Sequence, residues 1–127
     1  MKQINKVFEL SQNFYFEAAH TLNRSYESEG SKKIHGHTFH AEITITGIPE
    51  IESGMILDIA ILKNEITRIR NILDHSFLDE LNNLGPATLE NLCEFIRLEI
   101  QKTLPNLSKI IVERKASGDK CTLHINQ

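Results

Sequence analysis

Hydrophobic and polar positions alternate over residues 7–20, VFELSQNFYFEAAH, where Phe8, Leu10, Phe14, Phe16 and Ala18 share one parity and Gln12 interrupts it. A strand sends residues i and i+2 to the same face, so this segment reads as a half-buried strand. The stretch that follows, LNRSYESEGSKK, is polar, has no period and contains Gly30, and it reads as an exposed loop long enough to carry function. Alternation resumes in HGHTFHAEITITG, residues 35–47, with Phe39, Ala41, Ile43 and Ile45 on the odd parity and Glu42, Thr44 and Thr46 on the even one. This is a second strand of antiparallel type, closed by Gly47 and Pro49.

The period then becomes helical. Asp58 is a good N-cap ahead of IAILKNEITRIRNIL, whose apolar positions Ile61, Leu62, Ile66, Ile69, Ile72 and Leu73 make one stripe ending near Leu73. Thr88 can cap a second helix with the stripe Leu89, Leu92, Cys93, Ile96, Ile100 and Leu104, and Pro105 marks its end. SKIIVERK and CTLHINQ, separated by SGD, read as a terminal hairpin. The order ββααββ over 127 residues predicts a single α+β domain, residues 1–127, with a four-stranded antiparallel sheet carrying two helices on one face.

Composition narrows the function classes. Hydrophobic residues make up 40% and charged residues 24%, ordinary for a folded chain. Fourteen Lys plus Arg against seventeen Asp plus Glu give a net charge of −3 with the charges scattered, so no nucleic-acid partner is expected. The longest apolar runs fall well short of the ~20 residues that cross a bilayer, so no membrane span is expected. Cys93 and Cys121 lack CxxC spacing and no apolar leader opens the chain. A reduced, cytoplasmic protein is the expectation.

Histidine stands out: three of the six lie in IHGHTFH, residues 34–40. His35 and His37 share the parity of Phe39 and Ala41, while His20 is in phase with Phe14, Phe16 and Ala18 at the end of the first strand. If the strands pair, three imidazoles converge at one end of the sheet. Three nitrogen ligands with a fourth position open is the pattern of a catalytic zinc site, the alternative being hydrogen-bonded core histidines. His40, on the solvent parity, and His124 read as surface or packing residues. Asp74 and His75 follow the first helix directly and can relay a proton, or His75 can simply face the helix dipole. Glu113 shares the parity of Ile111 and is expected to point inward, toward a ligand with a fork of N–H donors or an internal cation. The cysteines are assigned to packing.

FEAAH at 16–20, HGH at 35–37, GMILD at 54–58, LDH at 73–75, TLEN at 88–91 and VE at 112–113 together resemble the 6-pyruvoyltetrahydropterin and 6-carboxytetrahydropterin synthase family. The small size and short loops look like the bacterial 6-carboxytetrahydropterin synthases of queuosine (7-deazaguanine) biosynthesis. The resemblance implies a tunnelling fold (T-fold), in which the sheets of several subunits join into an oligomeric barrel, commonly a hexamer of two trimers. It implies a zinc-dependent lyase acting on a small-molecule pterin, 7,8-dihydroneopterin triphosphate, without a redox cofactor. Carried over residue by residue, the Zn2+ ligands are His20, His35 and His37. The proton relay falls on Asp74 and His75, the pterin anchor on Glu113, and a further substrate contact on Thr88, whose alternative is a cap alone.

One departure bears on mechanism. The family's catalytic cysteine lies four residues before HGH, and here that position is Ser31. A hydroxyl is far less acidic than a thiol of reference pKa ~8.5 and does not supply the same base unaided. Ser31 can be an engineered substitution, another loop group such as Glu27 or Glu29 can serve, or the reaction has been lost or changed. The alternatives to the 6-carboxy synthase are therefore a side-chain lyase giving 6-hydroxymethyldihydropterin, a catalytically weak pterin-binding paralogue, or a metal-free structural domain. Arg114, where the family often has threonine, is a smaller departure beside the anchor.

Overall fold

The computed structural model describes residues 4–125. The elements are β1 (Phe8–His20), α1 (Ser28–Lys32), β2 (His35–Gly47), α2 (Ile59–Leu73), β3 (Ser76–Phe77), α3 (Leu89–Gln101), β4 (Leu107–Arg114) and β5 (Asp119–His124), with a turn of 3-10 helix at Leu78–Glu80. The sheet order is β3-β1-β2-β4-β5. β1 and β2 pair antiparallel without interruption from Phe8↔Gly47 to His20↔His35. β2 pairs with β4 and β4 with β5, also antiparallel. The final two positions of the expected last strand, Asn126 and Gln127, lie outside the described residues.

The alternation read from the sequence places the core. Phe14, Phe16 and Ala18 of β1, Phe39, Ala41, Ile43 and Ile45 of β2, and Ile110 and Val112 of β4 are all buried. Leu62, Ile66, Ile69 and Leu73 of α2 and Leu92, Cys93, Ile96 and Ile100 of α3 pack against them from one side. α2 lies against β1, and α3 against β4 and β5. Asp58 caps α2 by accepting from the Ala60 amide at 2.9 Å, and Thr88 caps α3 by accepting from the Asn91 amide at 3.1 Å. Cys93 is buried beneath the terminal hairpin, and burial pushes its thiol up to about 12.

Three features correct the expectation. The sheet has five strands among the described residues, because β3 pairs parallel with Ala18 and Ala19 of β1. The chain leaves α2 through His75, at φ 59°, whose amide donates to the Glu17 carbonyl at 2.6 Å and lays the next two residues along β1. Two residues are too few to show a period. The segment between β1 and β2 is not wholly an exposed loop either: it holds α1, and Ser31 within it is buried. Finally, Glu113 falls with Ile111 on the face away from the helices, while Ile110 and Val112 take the interior. Its parity was read correctly, but the buried row of β4 is the even one.

Truncating the ring at the centre of the core, in Phe16→Ala, is expected to cost about 3–5 kcal/mol, read as a lowered urea midpoint in equilibrium unfolding.

Candidate metal centre

Each buried row of the sheet changes from apolar to polar at the same end. Past Phe16 and Ala18, β1 presents His20; past Phe39, β2 presents His37 and His35. The uninterrupted register sets His20 directly opposite His35, so the three rings meet edge to face, with centroids 4.5 Å (His20–His35), 4.9 Å (His20–His37) and 5.0 Å (His35–His37) apart. One nitrogen from each lies within 4.8 Å of the others.

Backbone carbonyls orient two of the rings. His20 Nδ1 bonds the Ala87 carbonyl at 2.8 Å and His35 Nδ1 bonds the Lys33 carbonyl at 2.8 Å. A carbonyl only accepts, so each Nδ1 carries the hydrogen and each Nε2 keeps its lone pair. His20 Nε2 is buried with no hydrogen-bond partner. A buried acceptor without a donor is costly, and a cation satisfies it. Burial holds His20 below the usual histidine range. The same desolvation, followed by the nearby Arg114 guanidinium, brings His37 down to about 4. Neutral imidazoles at physiological pH are the form that binds metal. The donor set and its orientation fit an open three-nitrogen zinc site.

Arg114 borders this cluster. It continues the buried row Ile110–Val112 of β4, and its Nη1 donates to His37 Nε2 at 3.3 Å. Its Nη2 donates to Asp119, which also accepts from Ser117 at 3.0 Å. From sequence Arg114 is visible only as a departure beside Glu113, because its place on the histidine face follows from which row of β4 the helices cover. The Ala87 and Lys33 carbonyls left no side-chain signal to find.

Ser31 lies in the same region. A cavity of about 360 Å³ is lined by Ser31, His35, His37, Arg114, Glu27 and Arg24, among others. Ser31 Oγ donates to the Glu27 carbonyl at 3.0 Å. Glu27, at φ 52° in the left-handed region, faces this cavity, whereas Glu29 does not line it. Thr88 shares a smaller cavity of about 160 Å³ with His20 and Arg114.

The remaining candidates sit elsewhere. Asp74 accepts from the Glu17 amide at 2.9 Å and from His75 Nδ1 at 2.8 Å, and these bonds hold its carboxyl below the usual range. His75 lines a cavity of about 450 Å³ whose lining also includes Glu17, Gly36, His37 and Thr38. Glu113 lines an outer-face groove of about 210 Å³ with Tyr15, His40 and Lys115. One chain thus gathers the three histidines, Ser31 and Thr88, leaves Glu113 on the opposite face of the sheet, and sets His75 at a separate cavity that shares His37 with the cluster.

The family model described as 6-pyruvoyl tetrahydropterin synthase matches residues 9–124. The chain belongs to that family. It is 33% identical over 95 residues to the dihydroneopterin monophosphate aldolase of Pyrococcus furiosus, covering 75% of this chain and 76% of that one. It is 32% identical over 74 residues to the 6-carboxy-5,6,7,8-tetrahydropterin synthase of Bacillus subtilis, covering 58% of this chain and 47% of that one. The structure of Caenorhabditis elegans 6-pyruvoyl tetrahydropterin synthase superposes with a TM-score of 0.81 over 95% of this chain and 97% of that one, at 22% identity. The fold is therefore the one expected from the resemblance. Family enzymes carry out lyase-type chemistry on pterin side chains, and no helix among the described residues is long and apolar enough to cross a membrane.

Two outcomes test the centre. His37→Ala is expected to lose bound zinc, read by elemental analysis, while keeping the far-ultraviolet dichroism of the parent; full retention of metal removes His37 from the ligand set. In metal-free protein the lowered folded pKa of His37 means the unfolded chain binds that proton first. Stability from this group is present above about pH 6.5 and lost as pH falls toward about 4, and His37→Gln should flatten that part of the profile.

Proposed function

We propose that this chain is a zinc-dependent lyase acting on the side chain of a reduced pterin, and that it cleaves a side-chain carbon–carbon bond to leave 6-hydroxymethyl-7,8-dihydropterin. The convergence of His20, His35 and His37, with two Nδ1 atoms tied to carbonyls, carries the metal-dependent part of the reading. A bound zinc ion there supplies Lewis acidity to the side-chain oxygens.

The choice of reaction rests on Ser31. Forming 6-carboxytetrahydropterin requires a base for a carbon acid, and at the thiol position this chain has a hydroxyl already donating to the Glu27 carbonyl. Carbon–carbon cleavage asks for less. The proton to be removed is on a side-chain hydroxyl; the O–H pair closes to a carbonyl as the C–C bond breaks, its electrons pass into the ring C=N, and a proton returns to the ring-side carbon. A carboxylate suffices as base for a metal-polarised hydroxyl, and Glu27 lines the cavity that Ser31, His35 and His37 share. The Pyrococcus relative, an aldolase by name and similar over three-quarters of this chain, supports the same choice.

A second reading, a 6-carboxytetrahydropterin synthase of queuosine biosynthesis acting on 7,8-dihydroneopterin triphosphate, is favoured by the similarity to the Bacillus enzyme. In either reading Glu113 anchors the pterin through its amino and ring N–H groups, and Asp74 and His75 move protons. Because Glu113 lies on the opposite sheet face from the histidines of its own chain, the reading includes a homo-oligomer, a hexamer of two trimers, in which neighbouring copies complete the site and cover the open strand edges. A cytoplasmic location, expected from the absence of paired-cysteine spacing, completes the reading.

Mass spectrometry of products from zinc-loaded protein and 7,8-dihydroneopterin, its monophosphate and its triphosphate decides between the readings. 6-Hydroxymethyl-7,8-dihydropterin with released aldehyde is expected, with turnover reduced about 100-fold or more in Glu27→Gln. Appearance of 6-carboxytetrahydropterin instead, or only from a Ser31→Cys variant, would move the assignment to the synthase.

A further inference from the structure

We propose that Arg114, with Arg24 across the same cavity, binds a phosphate group carried on the substrate's side chain and so determines which phosphorylated form of the pterin is taken. The proposal rests on the reading that a reduced pterin side chain enters this cavity, and adds to it the groups that recognise the side chain's anionic end.

Arg114 occupies the last position of a core row where the residues before it, Ile110 and Val112, are fully buried. Its side chain is only 21% exposed, so the guanidinium is largely withdrawn from water. A guanidinium offers five N–H donors, and two have partners here: one on Nη1 bonded to His37 and one on Nη2 bonded to Asp119. Nε is buried with no partner. Nη1 and Nη2 each keep a second N–H, and this pair at the end of the guanidinium suits two oxygens of one phosphate.

The support around Arg114 is rigid. The Ser117 and Gly118 amides both donate to the Arg114 carbonyl, at 3.2 and 2.9 Å, closing the β4–β5 turn at Gly118 with φ 81°. Asp119, opposite Arg114 in the ladder, holds the guanidinium in place, and bonds from Ser117 and the nearby arginine keep the Asp119 carboxyl below its usual range.

Charge decides what the cavity accepts. Arg24 and Arg114 are offset by Glu27 and Asp119, both of which also line it, so the protein side chains alone are balanced. Arg24 is held only loosely, with Glu27 at 3.6 Å, which leaves it available to turn toward a ligand. A divalent ion on the histidines tips the region positive. It also competes with Arg114 for His37 Nε2, which frees another guanidinium donor beside the metal. A dianionic phosphate ester satisfies both consequences, whereas a neutral side chain satisfies neither.

Titration calorimetry with inorganic phosphate on zinc-loaded protein tests this without requiring any pterin reaction. Phosphate is expected to bind, with affinity lowered about tenfold or more by Arg114→Gln, partly retained in Arg114→Lys and lowered severalfold in Arg24→Gln, at unchanged zinc content. Absence of phosphate binding by the parent, or equal binding by Arg114→Gln, overturns the proposal. In parallel, the ratio of kcat/KM for the monophosphate to that for unphosphorylated 7,8-dihydroneopterin is expected to collapse in Arg114→Gln, and an unchanged ratio also overturns it. Phosphate binding through Arg114 in a protein that leaves all three pterins intact would sink the proposed reaction and leave the anion site standing.

Discussion

The register between β1 and β2 is the constraint on which the rest of the molecule depends. Thirteen residues pair without a bulge, and the same alternation that buries Phe14, Phe16 and Ala18 against Phe39 and Ala41 brings His20 opposite His35. A slip of one residue would turn both rows to the wrong face. The core and the histidine cluster are thus specified by one pairing. The hydrophobic free energy of the core, about 1.5–3 kcal/mol for each large apolar side chain buried, fixes the backbone positions from which the imidazoles project.

Two backbone carbonyls then refine the cluster. The carbonyls of Ala87 and Lys33 choose the tautomers of His20 and His35, and each comes from backbone adjoining a regular element. Ala87 directly precedes the Thr88 cap, so the geometry that starts α3 also aims a carbonyl at the site. The turn that starts α3 therefore also orients the His20 ring, and Thr88 supports that turn through its cap.

Strands β1, β2 and β4, both long helices with their caps, and the three-histidine cluster were legible because each rests on a local period or a cap residue. β3 and α1 were not, since two and five residues carry no period; they exist because of tertiary bonds, such as the His75 amide to the Glu17 carbonyl and the Leu22 amide to the Ser31 carbonyl at 2.7 Å. Glu113 shows a different limit. Parity says which residues share a face but not which face is covered, and in β4 the choice between Ile110–Val112 and Ile111–Glu113 was settled only by where α3 packs. Arg114 was hidden by the same ambiguity, because assigning the interior to Glu113 sent its neighbour outward.

Ser31 and Arg114 have to be understood together. Both line the cavity beside His37, and both stand where the family resemblance leads one to expect another residue, a thiol and a threonine. The first leaves a hydroxyl where a thiol would ionise, and the second sets a permanent cation within 3.3 Å of a His37 nitrogen. A guanidinium there favours negative charge on any group beside it, so it keeps a neighbouring carboxylate such as Glu27 ionised and favours an anionic oxygen over a neutral hydroxyl. A hydroxyl at position 31 needs more than that to act as a base toward a carbon acid, whereas negative charge on a ligand oxygen in this cavity is stabilised directly. The two departures are thus compatible with the proposed oxygen-centred cleavage.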